Sequence, residues 1–343
     1  MVSTSSPSSK ITIAVTQAEP VWLDLEATVD KTCKLIAEAA KNGAKIITFP
    51  EVWIPGYPAW IWYSHPFTQS ILAPRRSSSN CARRSRNMDP ELTTRYIQNS
   101  LKLGSPQAEC ITQCAAEHGI VVVLGFSENV HESLYMSQAV IDADGQVRVT
   151  RSKMKPTHME RTIFGDSRGD CLAGVADTAA GRVGALNCWE HLQPLLKYHM
   201  YAQREQIHVA SWPPVHADVP EGCLESMSGR GIAAIAQVYA MESQSFVLHT
   251  TSVIGPSGIE LMSLPRGALM STPGGGNSCV FGPDGKKLTT DIPEHEEGIV
   301  YATIDLNDIL KARAFIDVCG HYSRPDLLWL GADKDIKRHV RDL

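Results

Sequence analysis

Short apolar runs alternate along this chain with longer amphipathic stretches. The runs at 11–16 and 46–49 have the length and β-branched content of buried strands. Between them, apolar residues recur at helical spacing over 25–40, and Gly43 follows, as is typical of a helix C-terminus. The pattern therefore predicts strand, helix and strand over the first fifty residues.

The same alternation continues through the rest of the chain. Further helices are predicted at 90–117, 194–203 and 226–242. Further strands are predicted at 120–127, 134–141, 147–150, 183–186, 207–211, 245–252, 278–281 and 299–305. Strands that alternate with helices indicate an α/β fold with layered packing. The pattern does not specify the number of layers.

Composition is typical of a globular protein. The chain has 343 residues, of which 43% are hydrophobic and 20% charged, with a net charge of −5. This charge gives no reason to expect nucleic acid or an anionic membrane as a partner. No apolar stretch approaches the roughly 20 residues that span a bilayer. The polar, Ser-rich residues 1–9 lack the apolar core of a signal peptide and are expected to form a flexible tail.

Neither the cysteines nor the histidines show the spacing of a metal site. Nine cysteines have no framework spacing, and Cys110 and Cys114 lack the paired partners of a zinc site. The glycine-rich run 273–276 lacks the Lys-Ser/Thr of a phosphate loop. We therefore expect no metal and no cofactor, and a reducing, cytoplasmic setting.

One cysteine stands where nucleophiles are often found. The apolar run 183–186 leads directly to Cys188, and Pro194 then begins a helical segment. A strand, a sharp turn and a helix hold one side chain at the carboxyl end of the strand, where α/β proteins form ligand crevices. A thiol there is a candidate nucleophile. The alternative is a structural cysteine, because free cysteines are often buried.

Charged residues follow two other strands. Glu51 lies two residues after the strand predicted at 46–49. Lys153 and Glu160 come after the strand predicted at 147–150. Each is weak evidence alone, because charged residues are common in loops at strand ends. Together, Glu51, Lys153 and Cys188 in this order resemble the catalytic triad of the nitrilase, or carbon–nitrogen hydrolase, superfamily.

The resemblance extends from about Lys10 to about Arg338 and is nearest to nitrilases of filamentous fungi. It rests on the segments 49–51, 55–58, 153–161, 186–195, 206–213 and 320–326. It implies a four-layer αββα sandwich, one domain over 10–338, a short C-terminal tail at 339–343, and a homo-oligomer in which dimers extend into a spiral or filament.

The resemblance also implies a role for each candidate catalytic residue. Cys188 would attack a nitrile carbon, giving a covalent thioimidate and then a thioester, and water would release the carboxylic acid and ammonia. Glu51 would act as general base, and Lys153 would stabilise the tetrahedral intermediate. Glu160 would hold Lys153 and Glu51 and orient water; its alternative is a surface ion pair with Arg161.

Aromatic residues near the catalytic segments predict an aryl or arylaliphatic substrate. Some of them are alternatively expected only to pack the loop, since aromatic side chains also dominate cores. The residues predicted to contact substrate are Tyr57, Trp60, Trp62, Trp189, Glu190 and His191.

Residues 63–88 depart from the family pattern. This segment is Ser/Arg-rich and has few apolar residues after Leu72, which is typical of disordered loops. A substrate lid, a basic patch and a gene-model artefact are the alternatives.

Three other functions remain open at this point. A cyanide hydratase or an amidase would use the same superfamily residues, although cyanide hydratases usually have Asn where this chain has His191. A catalytically inactive assembly protein would result if the 63–88 segment had disabled the site.

Overall fold

The computed structural model describes residues 9–63, 89–219, 224–266 and 269–336. The predicted tails, 1–9 and 339–343, lie outside the described residues except for Ser9. The predicted insert, 63–88, lies outside them except for Tyr63.

Eleven strands and seven α-helices form within the described ranges. The strands are β1 (Lys10–Ala18), β2 (Ala44–Thr48), β3 (Val121–Val130), β4 (Ser133–Ile141), β5 (Val147–Ser152), β6 (Val175–Thr178), β7 (Gly181–Asn187), β8 (Ile207–Trp212), β9 (Phe246–Ser252), β10 (Cys279–Phe281) and β11 (Gly298–Asp305). The helices are α1 (Leu25–Lys41), α2 (Pro90–Gln98), α3 (Pro106–His118), α4 (Pro194–Ala202), α5 (Gly229–Ser243), α6 (Pro256–Leu261) and α7 (Asp308–Phe315). No helix in these ranges is long and apolar enough to cross a membrane.

The strands form two halves of one continuous hydrogen-bonded path. The first half has the order β5-β4-β3-β2-β1, with β11 beside β1, and the second has the order β9-β8-β7-β6, with β10 beside β9. The halves meet where β1 and β9 pair in parallel, at Gln17 with Thr251 and at Ala18 with Ser252.

Burial on both faces of the strands divides the core into layers. Ile13 and Ile46 of the first half pack with Val209 of the second half in an apolar cluster between the halves. The neighbouring residues Ala14 and Ile47 belong to a different cluster, with α1 and α3. Helices α4 and α5 cover the other half in the same way. Because successive strand residues face opposite sides, this alternation gives the layers helix, sheet, sheet and helix. The predicted αββα sandwich is confirmed.

The range 90–117, which is predicted to be mainly helical, contains two helices. Helix α2 ends at Gln98, and α3 begins at Pro106 after Ser105, whose hydroxyl accepts a hydrogen bond from the Ala108 N–H. Proline disfavours helical geometry in the residue before it, and serine is a favoured N-cap. The sequence 104–106 therefore separates two helices.

Candidate active site

Four predicted catalytic side chains converge in the interior, close to the ends of β2, β5 and β7. Lys153 Nζ lies 2.8 Å from Glu51 Oε1 and 2.7 Å from Glu160 Oε2. Glu51, Lys153 and Glu160 are each 1% exposed and Cys188 is 3% exposed. The charges of all three neighbours act on the Cys188 thiol. The structure therefore brings together the residues that the sequence predicts to act together.

Backbone contacts fix the positions of Glu51 and Lys153. The Phe49 N–H donates to the Val123 carbonyl, which extends the pairing of β2 with β3 toward Glu51. On β3, a Cβ added at Gly125 would lie 2.1 Å from the Pro50 oxygen, so only glycine permits this close approach. The Lys153 N–H donates to the Met136 carbonyl of β4 at 2.7 Å. The backbone next to Glu51 and at Lys153 is therefore held by hydrogen bonds to neighbouring strands.

Cys188 occupies a strained turn directly after β7. Its φ is +47°, a left-handed conformation that is unfavourable for a residue with a Cβ. At the start of the short 3₁₀ helix Cys188–Leu192, the Asn187 N–H donates a hydrogen bond to Glu190 Oε2 at 2.9 Å. This turn is the sharp strand-to-helix connection that the sequence predicts.

Burial makes the Glu51 carboxyl basic. Burial raises the pKa of Glu51 to about 8, although Lys153 opposes the rise. Glu51 Oε2 has no hydrogen-bond partner among the described residues. A buried carboxylate oxygen without a donor is a strong acceptor. Glu51 is thus suited to take a proton from a thiol or a water molecule near neutral pH.

Lys153 remains a cation in this setting. Burial alone would lower the pKa of Lys153, but the carboxylates of Glu160 and Glu51 raise it above its usual value. Burial raises the pKa of Cys188 well above its usual value, with a further rise from Glu51 and an opposing effect of Lys153. The resting thiol is therefore protonated, and its ionisation depends on transfer of the proton to a nearby base.

Glu160 is an internal residue rather than a surface partner of Arg161. Its Oε2 accepts hydrogen bonds from Lys153 and from the Thr157 N–H at 2.6 Å, and its Oε1 accepts one from the Tyr57 hydroxyl at 2.9 Å. The Arg161 side chain instead donates to the Pro156 carbonyl. These bonds hold the Glu160 carboxylate in one orientation against Lys153.

A cavity of about 470 Å³ opens beside Cys188. Three of the predicted substrate contacts, Tyr57, Trp62 and Trp189, line it. Trp62 Nε1 donates to the Tyr57 hydroxyl at 3.1 Å, and the Trp62 ring stacks on His158 at 5.5 Å. The cavity wall is thus aromatic and held in place by hydrogen bonds.

The other three predicted substrate contacts are corrected by the structure, because they are not among the residues that line the cavity. Trp60 packs edge-on against Tyr96 at 5.3 Å. Glu190 accepts hydrogen bonds from Arg151 at 2.6 and 2.8 Å and is fully buried. His191 is also fully buried and contacts the Cys188 carbonyl. Proximity along the sequence to a catalytic residue did not predict side-chain direction.

Several lining residues come from segments that carried no chemical signal in the sequence. Trp212, at the end of β8, lines the cavity, and so do Met270, His216 and Glu294. The Glu294 carboxylate accepts a hydrogen bond from the Ala217 N–H at 3.0 Å. Of these residues, Trp212 had a signal, because it directly follows the strand predicted at 207–211 and lies in a segment that resembles nitrilases.

Within the described ranges, no group of three or more His, Cys, Asp or Glu side chains is arranged to hold a metal ion.

Comparison with known proteins shows the family of this chain. The sequence pattern of the family described as Carbon-nitrogen hydrolase matches residues 12–314. The chain belongs to the carbon–nitrogen hydrolase family. An arylacetonitrilase of Aspergillus niger is 64% identical over 334 residues, covering 97% of this chain and 95% of that protein. An arylacetonitrilase of Aspergillus oryzae is 55% identical over 341 residues, covering 99% and 96%. The predicted resemblance to nitrilases of filamentous fungi is confirmed.

Known structures of carbon–nitrogen hydrolases share the fold. A carbon–nitrogen hydrolase from Helicobacter pylori G27 has a TM-score of 0.63 at 17% identity, with 89% of this chain and 92% of that chain covered. An amidase from Nesterenkonia sp. AN1, with an acetamide moiety added covalently at its active-site cysteine, has a TM-score of 0.58 at 17% identity and coverage of 88% and 92%.

Proposed function

We propose that this carbon–nitrogen hydrolase is a nitrilase that converts an aryl or arylaliphatic nitrile to the carboxylic acid and ammonia. The observation that supports this most directly is the buried Glu51–Lys153–Glu160 cluster, of which Glu160 lines the same aromatic cavity as Cys188. The high identity to fungal arylacetonitrilases supports the nitrile as substrate.

In the proposed reaction, Glu51 takes the Cys188 proton through its unpartnered oxygen as the sulfur attacks the nitrile carbon. The proton passes to the nitrile nitrogen, and the product is a covalent thioimidate. Water activated by Glu51 then adds to the thioimidate carbon. Lys153 stabilises the tetrahedral species because its ammonium group is fixed and desolvated. Ammonia leaves to give a thioester, and a second water releases the acid.

The cavity supports a flat, largely apolar substrate. Trp62, Trp189 and Trp212 supply aromatic walls, and aromatic rings pack favourably at offset or edge-on geometry. The volume of about 470 Å³ lies within the ordinary range for small-molecule sites. We expect phenylacetonitrile-type nitriles to be better substrates than cyanide or small aliphatic nitriles.

Ammonia release from a panel of compounds tests the proposal. The panel holds an arylacetonitrile, an aliphatic nitrile, cyanide and the matching aryl amide. We expect turnover of the arylacetonitrile, with acid as product. Turnover of cyanide alone would indicate a cyanide hydratase, and turnover of the amide alone an amidase. No turnover at all would indicate an inactive assembly protein. Each of these three results would overturn the proposal.

Replacement of the nucleophile provides the control. We expect Cys188→Ala and Cys188→Ser to lose turnover almost completely, because loss of a covalent nucleophile removes most of the rate enhancement. Their circular dichroism spectra should match that of the parent protein. An active Cys188→Ala variant would exclude the thioimidate mechanism.

We also propose that the enzyme acts as a homo-oligomer in a reducing, cytoplasmic setting. Exposed apolar side chains near the C-terminal end of the described residues support assembly, with Leu328 82% and Trp329 78% exposed. Seven cysteines of the described ranges are free thiols, which supports the reducing setting. Light scattering after size exclusion tests assembly, and a fully active monomer would contradict it.

A further inference from the structure

A buried line of hydrogen bonds runs from the nucleophile's backbone away from the cavity. His191 Nδ1 lies 2.7 Å from the Cys188 carbonyl oxygen, and His191 Nε2 lies 2.9 Å from His208 Nε2. His208 Nδ1 lies 2.9 Å from Glu205 Oε2, and the Tyr239 hydroxyl donates to Glu205 Oε1 at 2.5 Å. The four side chains are at most 1% exposed. Bulk water therefore does not reach these side chains.

The chemistry of the groups fixes the direction of each donor along this line. A carbonyl oxygen only accepts, so His191 Nδ1 must be the protonated nitrogen. Burial and the neighbouring His208 hold the pKa of His191 well below its usual value, so its Nε2 is an acceptor and His208 Nε2 donates to it. One further proton lies between His208 Nδ1 and Glu205 Oε2. His191 therefore always presents an N–H to the Cys188 carbonyl.

This carbonyl belongs to the peptide unit that directly follows the reacting cysteine. The oxygen of the Cys188–Trp189 peptide is bonded to His191, and the N–H of the same peptide opposes the rise in the pKa of the Cys188 thiol. A hydrogen bond to a carbonyl polarises the amide and strengthens its N–H as a donor. The same bond holds the turn in which Cys188 has a φ of +47°.

We propose that His191 is a positioning residue for the nucleophile, kept in its donor state by His208 and Glu205, and that it orients and polarises the Cys188–Trp189 peptide toward the thiolate. The inference rests on the proposed role of Cys188 as nucleophile. His191 does not line the cavity; its ring stacks on Trp212, which does, with 5.4 Å between the ring centroids. The ring therefore acts on the reaction through the backbone, without touching the substrate.

Two substitutions at position 191 separate the donor from the packing. His191→Phe keeps a ring of similar shape against Trp212 but has no N–H. His191→Asn loses the ring but places an amide N–H near the position of Nδ1. We expect His191→Phe to lower kcat about tenfold, as for loss of one polarised hydrogen bond, with little change in KM. His191→Asn should retain most of the parent's kcat.

A readout that needs no nitrile keeps this inference separate from the proposed function. We would measure the rate of iodoacetamide alkylation on the Cys188 peptide by mass spectrometry, from pH 6 to 10. In His191→Phe this rate should fall about tenfold and its profile should shift to higher pH. Unchanged alkylation in His191→Phe, or equal losses in His191→Phe and His191→Asn, would overturn the inference even if nitriles are hydrolysed.

Variants at the far end of the line test whether it acts as a unit. Glu205→Gln keeps an N–H for His208 Nδ1 and an acceptor for Tyr239, whereas Glu205→Leu keeps neither. We expect Glu205→Gln to alkylate like the parent and Glu205→Leu to resemble His191→Phe. The double variant of His191→Phe with Glu205→Leu should be no slower than either single variant, because coupled groups are not additive. Additive losses would overturn the inference.

Discussion

Lys153 holds two carboxylates in the buried centre of the site, and its compact ammonium group is matched to that space. We predict that Lys153→Ala lowers kcat by roughly 10²–10³-fold, as for loss of one fixed transition-state donor. Lys153→Arg should not restore activity, because the planar guanidinium group needs more room and different hydrogen-bond directions. Steady-state ammonia release measures both variants.

Lys155 provides the matched control. It lies two residues away and is exposed, with an ion pair to Asp166 at 2.5 Å. Lys155→Ala should leave kcat unchanged and alter the free energy of unfolding by less than about 0.5 kcal/mol. Loss of activity in Lys155→Ala with retention in Lys153→Ala would contradict the assignment of the ammonium group.

The basicity of Glu51 predicts a pH dependence of catalysis. Because burial raises the pKa of Glu51 to about 8, the free carboxylate that acts as base forms as pH rises through this value. We therefore predict that kcat/KM increases from pH 6 and levels off about one pH unit above this pKa, whereas an ordinary glutamate would be ionised above roughly pH 5. Glu51→Gln should abolish turnover across the range. A flat parent profile between pH 6 and 9 would exclude Glu51 as the titrating base.

At this scale the sequence predicted which residues meet, but not where each side chain points. Glu51, Lys153, Glu160 and Cys188 were predictable because their chemistry and chain order form one pattern. His191 was not, since its direction depends on the left-handed turn at Cys188 and on partners in β8 and α5 that are far away in sequence.

Among the secondary-structure elements, the turn after β7 depends on a buried ion pair. Arg151, in β5, donates two hydrogen bonds to Glu190, which also accepts from the N–H groups of Asn187 and Met154. Burial opposes ionisation of Glu190, but Arg151 holds its pKa below the usual value. This carboxylate therefore joins the cysteine turn to the strand that precedes Lys153.

We predict that Glu190→Leu destabilises the protein by about 3–5 kcal/mol, because it leaves the Arg151 charge buried without a partner. Urea unfolding measures the change. The double variant with Arg151→Met should recover much of the loss. As a control, Lys31→Ala breaks an exposed pair with Glu297 at 2.7 Å and should cost less than about 1 kcal/mol. Equal effects of the buried and exposed changes would contradict this role.

Apolar periodicity predicted the long elements of this fold and missed some of the short ones. Strands β1, β3 and β4 agree with their apolar runs because both faces are buried along most of their length. Strand β6 has four residues, only one of them buried, and α7 has only Ile309 buried. Neither element has enough buried positions to produce a period. The number of layers was predicted from the family resemblance alone. An apolar run shows that both faces of a strand are buried, but not whether a helix or a second sheet covers each face.

For the whole molecule, a buried histidine predicts sensitivity to acid. His249, in β9, is fully buried, and neither ring nitrogen has a partner among the described residues. Burial lowers the pKa of His249 to about 3, against about 6.5 in an unfolded chain. Between these values the unfolded state binds the extra proton, so the free energy of unfolding decreases as pH falls below about 6.5.

We predict that His249→Leu reduces this acid sensitivity. The slope of unfolding free energy against pH should decrease by up to about 1.4 kcal/mol per pH unit between pH 4 and 6. Stability at pH 8 should be equal or higher, because an unpartnered polar ring is replaced by an apolar side chain. Urea unfolding at several pH values provides the measurement. An unchanged slope would show that His249 does not titrate with unfolding.

The joint between the sheet halves has a consequence for biosynthesis. Glu51 and Lys153 follow strands of the first half and Cys188 follows a strand of the second, and the halves pair directly through β1 and β9 at Gln17 and Ala18. During translation Glu51 and Lys153 leave the ribosome before Cys188, and in the folded structure both of them act on the Cys188 thiol. We therefore expect Cys188 to keep the reactivity of an ordinary cysteine in an unfinished chain, and the proposed site to form only after β9 has been synthesised and docked beside β1.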